Sequence, residues 1–203
     1  MSPRVRAPLV LALLGAAAAL PGTARAADDI DPGVHFKPVA LQGNPISFAV
    51  GRYGADVEYV FAPHHALHLT GFYYYAFPGV DDLFQGPGGE VGYRWYSGID
   101  GAHGFFVGAS AVAGQYEYSH TPEQPTTLDP GSDTKFVAIG GALDAGYQLV
   151  AFGNFALGAG AGLQYLHYTI EPTFEPGPSA GWTSFAYGSG LRPRLLCSVG
   201  ATF

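Results

Sequence analysis

Between Arg52 and Phe61 the chain reads RYGADVEYVF, and every charge in that stretch falls on one parity. Arg52, Asp56 and Glu58 alternate with Tyr53, Ala55, Val57, Tyr59 and Phe61. A strand sends successive side chains to opposite faces, so the stretch is a ribbon with one polar face and one apolar, aromatic face. The pattern returns along the chain. Leu67, Leu69, Gly71, Tyr73, Tyr75 and Phe77 oppose His68, Thr70, Phe72 and Tyr74, and Val91, Tyr93 and Trp95 oppose Glu90, Gly92, Arg94 and Tyr96. It continues over Phe105 to Tyr118, Lys135 to Leu149 and Phe155 to Ile170, and in the closing SGLRPRLLCSVGATF. Helix is a poor alternative for a chain with 30 glycines and 16 prolines among many aromatic and β-branched residues.

These seven segments are separated by breaks that alternate in length. APHH (62–65), SGIDGAHG (97–104) and the stretch near 150–154 are short, whereas PGVDDLFQGPG (78–88), SHTPEQPTTLDPGSDT (119–134) and the break after Ile170 are longer. The middle one is polar without hydrophobic period and is expected to be an exposed, mobile loop. An even strand number closes an up-and-down barrel, so an eighth strand is expected before Arg52, near Phe36 to Gly43, followed by a loop around Asn44 to Ser47. Pro193 weakens the ladder at the start of the last strand, since proline lacks a donor. The expected fold is all-β, an eight-stranded antiparallel transmembrane up-and-down β-barrel.

The N-terminus carries its own signal. Arg4 and Arg6, the apolar run PLVLALLGAAAAL and the small-residue ARA ending at Ala26 read as a secretory signal peptide over 1–26, with the barrel domain over 27–203. The signal holds three of the nine basic residues and none of the sixteen acidic ones, so the exported chain carries a formal charge of -10. Nucleic acid is an unfavourable partner for such a chain. One cysteine, Cys197, leaves no intrachain disulfide to support an exported fold. Charged residues are 12% of the chain, about half the share usual in soluble domains, which leaves little to cover a wet surface.

Eight charges are read inside strands: Arg52, Asp56, Glu58, Glu90, Arg94, Asp144, Arg192 and Arg194. All are assigned to the face opposite the aliphatic set, four of each sign, as a narrow lumen requires if buried charges are to be paired. The competing reading is a soluble barrel of lipocalin type with the charged face outward. It would leave Ala138, Gly140, Ala142, Gly146, Gly158, Gly160 and Gly162 as a water-facing surface almost without solubilising side chains, whereas small residues suit the crowded inside of an eight-stranded barrel. Tyr73, Tyr75 and Phe77 at one set of strand ends, and Tyr93, Trp95, Tyr147 and Phe155 at the other, would form two interfacial girdles.

With this signal peptide, these alternating strands and a final aromatic at Phe203, the chain resembles the small outer-membrane barrels of Gram-negative bacteria, the OmpA/OmpX-like superfamily. The segments GRYGADVEYVFAPHHALHL and GGEVGYRWY also look like those of uncharacterised barrels of this kind. The resemblance implies an outer-membrane monomer without cofactor, in contact with membrane lipid and lipopolysaccharide, with Phe203 as the signal read by the barrel assembly machinery. No peptidoglycan-binding domain is expected after the barrel, so the anchoring role of the full-length OmpA type is not expected here.

Three groups of residues are candidates for chemistry. His64, His65 and His68 are expected to be turn or strand histidines rather than metal ligands, because a strand puts His65 and His68 on opposite faces. His167 and Thr169 share a face and are followed by Glu171, which faintly resembles the His and Ser pair of outer-membrane lipid A deacylases. Nothing supplies an oxyanion hole, so no catalytic role is expected. The eight strand charges could line a narrow pore, but an eight-stranded lumen is normally filled, and a salt-bridged plug is expected. Asp81, Asp82, Glu123, Asp129, Asp133, Glu171 and Glu175 make the long loops acidic, and solvated surface is the expectation there.

Overall fold

The structure, a computed structural model, describes residues 37–78, 82–99, 101–121, 132–152, 154–170 and 188–203. The elements are β1 (Val39–Gly43), α1 (Pro45–Ala49), β2 (Arg52–Ala62), β3 (His65–Ala76), β4 (Asp82–Tyr96), β5 (Gly104–His120), β6 (Ser132–Ala151), β7 (Phe155–Tyr168) and β8 (Gly190–Thr202). Each strand pairs antiparallel with the next, and β1 pairs with β8, so the described residues form one closed all-β barrel of eight strands with a single five-residue helix. The connections β2–β3 (63–64), β4–β5 (97–103) and β6–β7 (152–154) lie at one end together with Phe203. Of those at the other end β5–β6 and β7–β8 are the long ones, whereas β3–β4 (77–81) is shorter than β4–β5, so the expected alternation of short and long breaks fails there.

Alternation decides the faces. Leu67, Tyr73, Val91, Ile139, Leu143, Leu163 and Leu195 are exposed on the outside, while Ala138, Ala142, Leu166, Phe72, Phe106 and Val112 are buried inside. Small residues let the ladders close around this interior: a Cβ on Gly88 would collide with the Phe72 ring, and one on Gly162 with Asp144 Oδ1. Three charges depart from the expected one-sided placement. Asp133, which the structure puts in β6, is exposed. Glu117 and Lys135 point outward near the long-loop ends of β5 and β6 and face each other at 3.5 Å.

Four boundaries also differ from expectation. The break at 78–88 is not a loop, because β4 already begins at Asp82 and runs through Gly86, Pro87 and Gly88. Tyr96 N–H bonds towards β3, so residues of odd number in β4 aim their backbone at β5, and Pro87 therefore lacks its donor on the β5 side, where the ladder skips residues 86 and 87. The β3 side remains paired there, with Tyr73 opposite Pro87. The loop expected at 119–134 is shorter by its two flanks, which pair from Ser119 opposite Asp133 to His120 opposite Ser132. β1 starts at Val39 rather than Phe36, which lies outside the described residues, as do 1–26 and Asp81, Glu123, Asp129, Glu171 and Glu175. The segment expected as a loop at Asn44 is instead α1, with the Asn44 side chain accepting the Ser47 N–H at 3.2 Å and Pro45 at its first position.

Candidate functional site: the lumen charge layer

The lumen is stacked in three layers. At the short-turn end Ala40, Val60, Ala66, Tyr96, Ala102 and Phe106 pack together, with Leu196 against them. At the long-loop end an aromatic layer of Phe72, Phe84, Tyr116, Tyr118, Phe136 and Tyr168 is joined by Tyr74, whose ring meets Phe72, Phe84 and Tyr116 edge-on. The strand charges lie between these two layers, where the inward parity of the middle of each strand puts them.

Two hydrogen-bonded groups make up the charged layer. In the first, Arg94 Nη1 lies 3.2 Å from Glu58 Oε2 and 3.5 Å from Asp56 Oδ2. Glu58, fully buried, also accepts from the Tyr96 hydroxyl at 3.0 Å and from Gln42 Nε2 at 3.5 Å. Asp56 accepts from Thr70 Oγ1 at 2.6 Å and faces His68 Nδ1 at 3.3 Å. In the second, Glu90 is gripped from both sides, by Arg194 Nη1 at 3.0 Å and Arg52 Nη2 at 3.3 Å, and accepts from Ser110 Oγ at 2.7 Å. Arg194 Nε lies 3.3 Å from Asp144 Oδ1, while Arg52 and Arg94 stack over the rings of Phe72 and Phe106. Burial on this scale requires such pairing, because an isolated ion loses several kcal/mol of hydration.

Seven of the eight expected charges thus meet in the middle of the lumen. Arg192 sits nearer the long-loop end, where its guanidinium donates to the Tyr168 hydroxyl at 3.1 Å and the Gly188 carbonyl at 3.3 Å. His68, Gln42, Tyr96 and Gln148 belong to the layer as well, and a tally of formal charge passed them over although their inward parity was readable.

The other candidates are placed elsewhere. His167 and Thr169 share the outward face, and Thr169 Oγ1 accepts the Val137 N–H at 3.1 Å; Glu171 is outside the described residues. His64 and His65 are engaged at the short-turn end, His64 with the Tyr96 carbonyl and the Trp95 ring, His65 with the Tyr93 hydroxyl at 2.6 Å. Among the described residues no three His, Cys, Asp or Glu side chains converge on a metal position. Asp82, expected as solvated loop, is instead nearly buried at the start of β4, 2.8 Å from both the Tyr118 hydroxyl and His120 Nδ1. Phe203 closes the short-turn end, exchanging backbone hydrogen bonds with Val39 at 2.8 and 3.3 Å.

A family model described as a protein of unknown function (DUF3575) matches residues 24–176, a span that holds β1 to β7 and ends before β8. No curated protein and no solved structure matches the chain.

Proposed function

The chain belongs to the DUF3575 family of proteins of unknown function, and we propose that it is an integral outer-membrane β-barrel of the OmpA/OmpX-like kind, exported by its N-terminal signal peptide. Its role on this reading is structural or mediated by its long loops, with a lumen closed by charge pairs and no catalytic activity.

The observation that carries the reading is the outward band on β6. Val137, Ile139, Leu143, Tyr147 and Leu149 are all exposed there, with only Gly141 and Ala145 between them. Twelve residue steps of about 3.3 Å, tilted by about 40°, cover about 30 Å, the thickness of a hydrocarbon core. Exposed Asp133 and Lys135 begin where the band ends. No helix among the described residues is long and apolar enough to cross a membrane, so strands would have to do it. Tyr73, Tyr75, Phe77, Tyr93, Trp95 and Tyr147 supply exposed aromatics for the two interfaces. Partners on this reading are lipid, lipopolysaccharide and the assembly machinery that recognises Phe203, and the barrel acts as a monomer.

The test is Leu143→Arg in the centre of the band. In a membrane barrel it costs about 2–4 kcal/mol of refolding stability in lipid vesicles; in a soluble barrel a charge added to an exposed site is close to neutral. Fractionation gives the second reading: the protein in the outer membrane, with a gel band that shifts on boiling, supports the proposal, and a soluble periplasmic protein without the shift overturns it. For the catalytic alternative, His167→Ala is expected to leave lipid A acylation unchanged.

A further inference from the structure

The barrel wall is incomplete where it closes. β8 is thirteen residues long and β1 only five, so their pairing stops at Gly43 opposite Val199. Phe203 exchanges backbone bonds with Val39, so residues of odd number in β8 aim their N–H and C=O groups at β1. Among the described residues, Cys197 and Leu195 meet no strand on that side, and the Leu195 carbonyl accepts only Asn44 Nδ2, at 3.4 Å. The other lip of the gap is in the same condition. Val60 N–H bonds to the Pro38 carbonyl, so residues of even number in β2 aim at β1, yet that pairing ends at Gly43 opposite Ala55, short of Gly54 and Arg52. Exposed Leu195 and Tyr53 put both lips in the apolar outward band. An open sheet edge finds no water to bond inside a bilayer, so such an edge is costly there.

The segment that fills the gap suits two structures. α1 packs against both β2 and β8, with Asn44 as its cap and Pro45 at its first position. It is only five residues long, however, and a helix this short is marginal by itself. Ile46, Phe48 and Val50 are residues that favour strands, and α1 leaves all three exposed. Continuing β1 in its own register would put Asn44 opposite Gly54 and Ile46 opposite Arg52 on one side, and Pro45 opposite Cys197 and Ser47 opposite Leu195 on the other. Phe48 to Gly51 would remain for the turn into β2. Even-numbered residues of β1 face the lumen, as buried Ala40 and Gln42 do, so Ile46 would turn towards the cavity beneath α1, whose lining includes Phe72 and Leu196. Pro45 has no N–H for the Cys197 carbonyl, which offsets part of the gain.

We propose that Asn44 to Ser47 is a strap with two structures: the cap and first residues of α1 in an open form, and the continuation of β1 in a closed form that the surrounding bilayer favours. The preference rests on the membrane reading above, since water would satisfy the same edges. Closing exchanges the bonds from Ser47 N–H to Asn44 and from Val50 N–H to Ser47 for rungs to β2 and β8, and leaves β2 to β8 in place.

The test is backbone NMR of the full barrel in phosphatidylcholine nanodiscs. The Cα shifts of Pro45, Ile46 and Ser47 are expected on the strand side of their random-coil values, with a through-space contact between the Ser47 and Leu195 amide protons. Leu195→Pro removes a donor from the edge that faces β1 and none from the ladder to β7, as Pro193 already does two residues away. It is expected to move the three shifts to the helical side while the boiling-dependent band shift persists. Adding Asn44→Ala to that variant removes the helix cap and should move the ratio of the two forms back towards the strand by about fivefold. Amide exchange of the unmodified barrel gives a readout that needs no variant: Leu195 N–H is expected to exchange as slowly as paired Val199, and exchange as fast as Leu191, beyond the reach of the strap, overturns the inference. Helical shifts in the unmodified barrel, or strand shifts that Leu195→Pro does not move, overturn it equally. A barrel that does not enter the discs overturns the membrane reading as well, whereas an inserted barrel with a helical strap overturns this inference alone.

Discussion

Arg94 holds Glu58 and Asp56 with one guanidinium nitrogen, at 3.2 and 3.5 Å, inside a layer closed off by rings on both sides. Removing it leaves Glu58 with Tyr96 and Gln42 as its hydrogen-bond donors and without its ion-pair partner. Arg94→Ala is therefore expected to cost about 3 kcal/mol or more, read as a fall in the denaturant midpoint of the refolded barrel. The cost belongs mostly to the stranded carboxylate, so adding Glu58→Gln to Arg94→Ala should recover a large part of it; a double variant as unstable as the sum of its parts would show that the two residues are not coupled. Asp56 behaves differently, because Thr70 and His68 stay beside it when Arg94 is gone. Glu90, between two arginines, loses only half its support when Arg52 is changed. Arg52→Met should thus cost less than Arg94→Ala in the same measurement.

At the scale of elements, Gly86 and Pro87 look like a loop in one dimension and form part of a strand in three. Pro87 points its missing donor towards β5, where the ladder is interrupted, while β3 keeps both residues in register. Gly86 has φ of 144°, and a Cβ there would collide with the Gln115 carbonyl. Gly86→Ala is accordingly expected to cost about 1–3 kcal/mol, measured by the same unfolding midpoint, and a neutral result would mean that the strand relaxes at no cost. Strand existence and facing were legible because a period of two is written into every segment, from Tyr53 to Phe61 as from Val137 to Leu149. Strand ends were not, since Pro87 breaks one ladder and spares another, and pairing partners are remote in sequence. The same limit hid the site. Parity put His68 and Gln148 inside, but only the register of β2 on β3 brings His68 beside Asp56, and only closure of the barrel brings Gln148 towards Tyr96. The expected loop after Gly43 became α1 because Asn44 and Pro45 together form a helix start, a local signal that was readable beforehand.

For the whole molecule, the three lumen layers bear on whether anything passes along the axis. An eight-stranded barrel has an interior just wide enough for its own side chains. Here Tyr96 and Phe106 occupy the short-turn end, Phe84, Tyr116 and Phe136 the long-loop end, and paired ions the middle. An ion crossing would have to displace both aromatic layers and also break contacts such as Arg194 to Glu90 at 3.0 Å. No unitary conductance is therefore expected when the purified barrel is added to a planar bilayer. Opening one aromatic layer should not change that: Tyr116→Ala with Phe136→Ala leaves the charge layer and the Tyr96 layer in place. Stepwise, ion-selective currents from the unmodified protein would show that the layers move aside together, and the charge pairs would then be a gate. Currents only from the double variant would locate the barrier in the long-loop aromatics and demote the charges to a lining. Silence in both is the result that three independent closures along one axis predict.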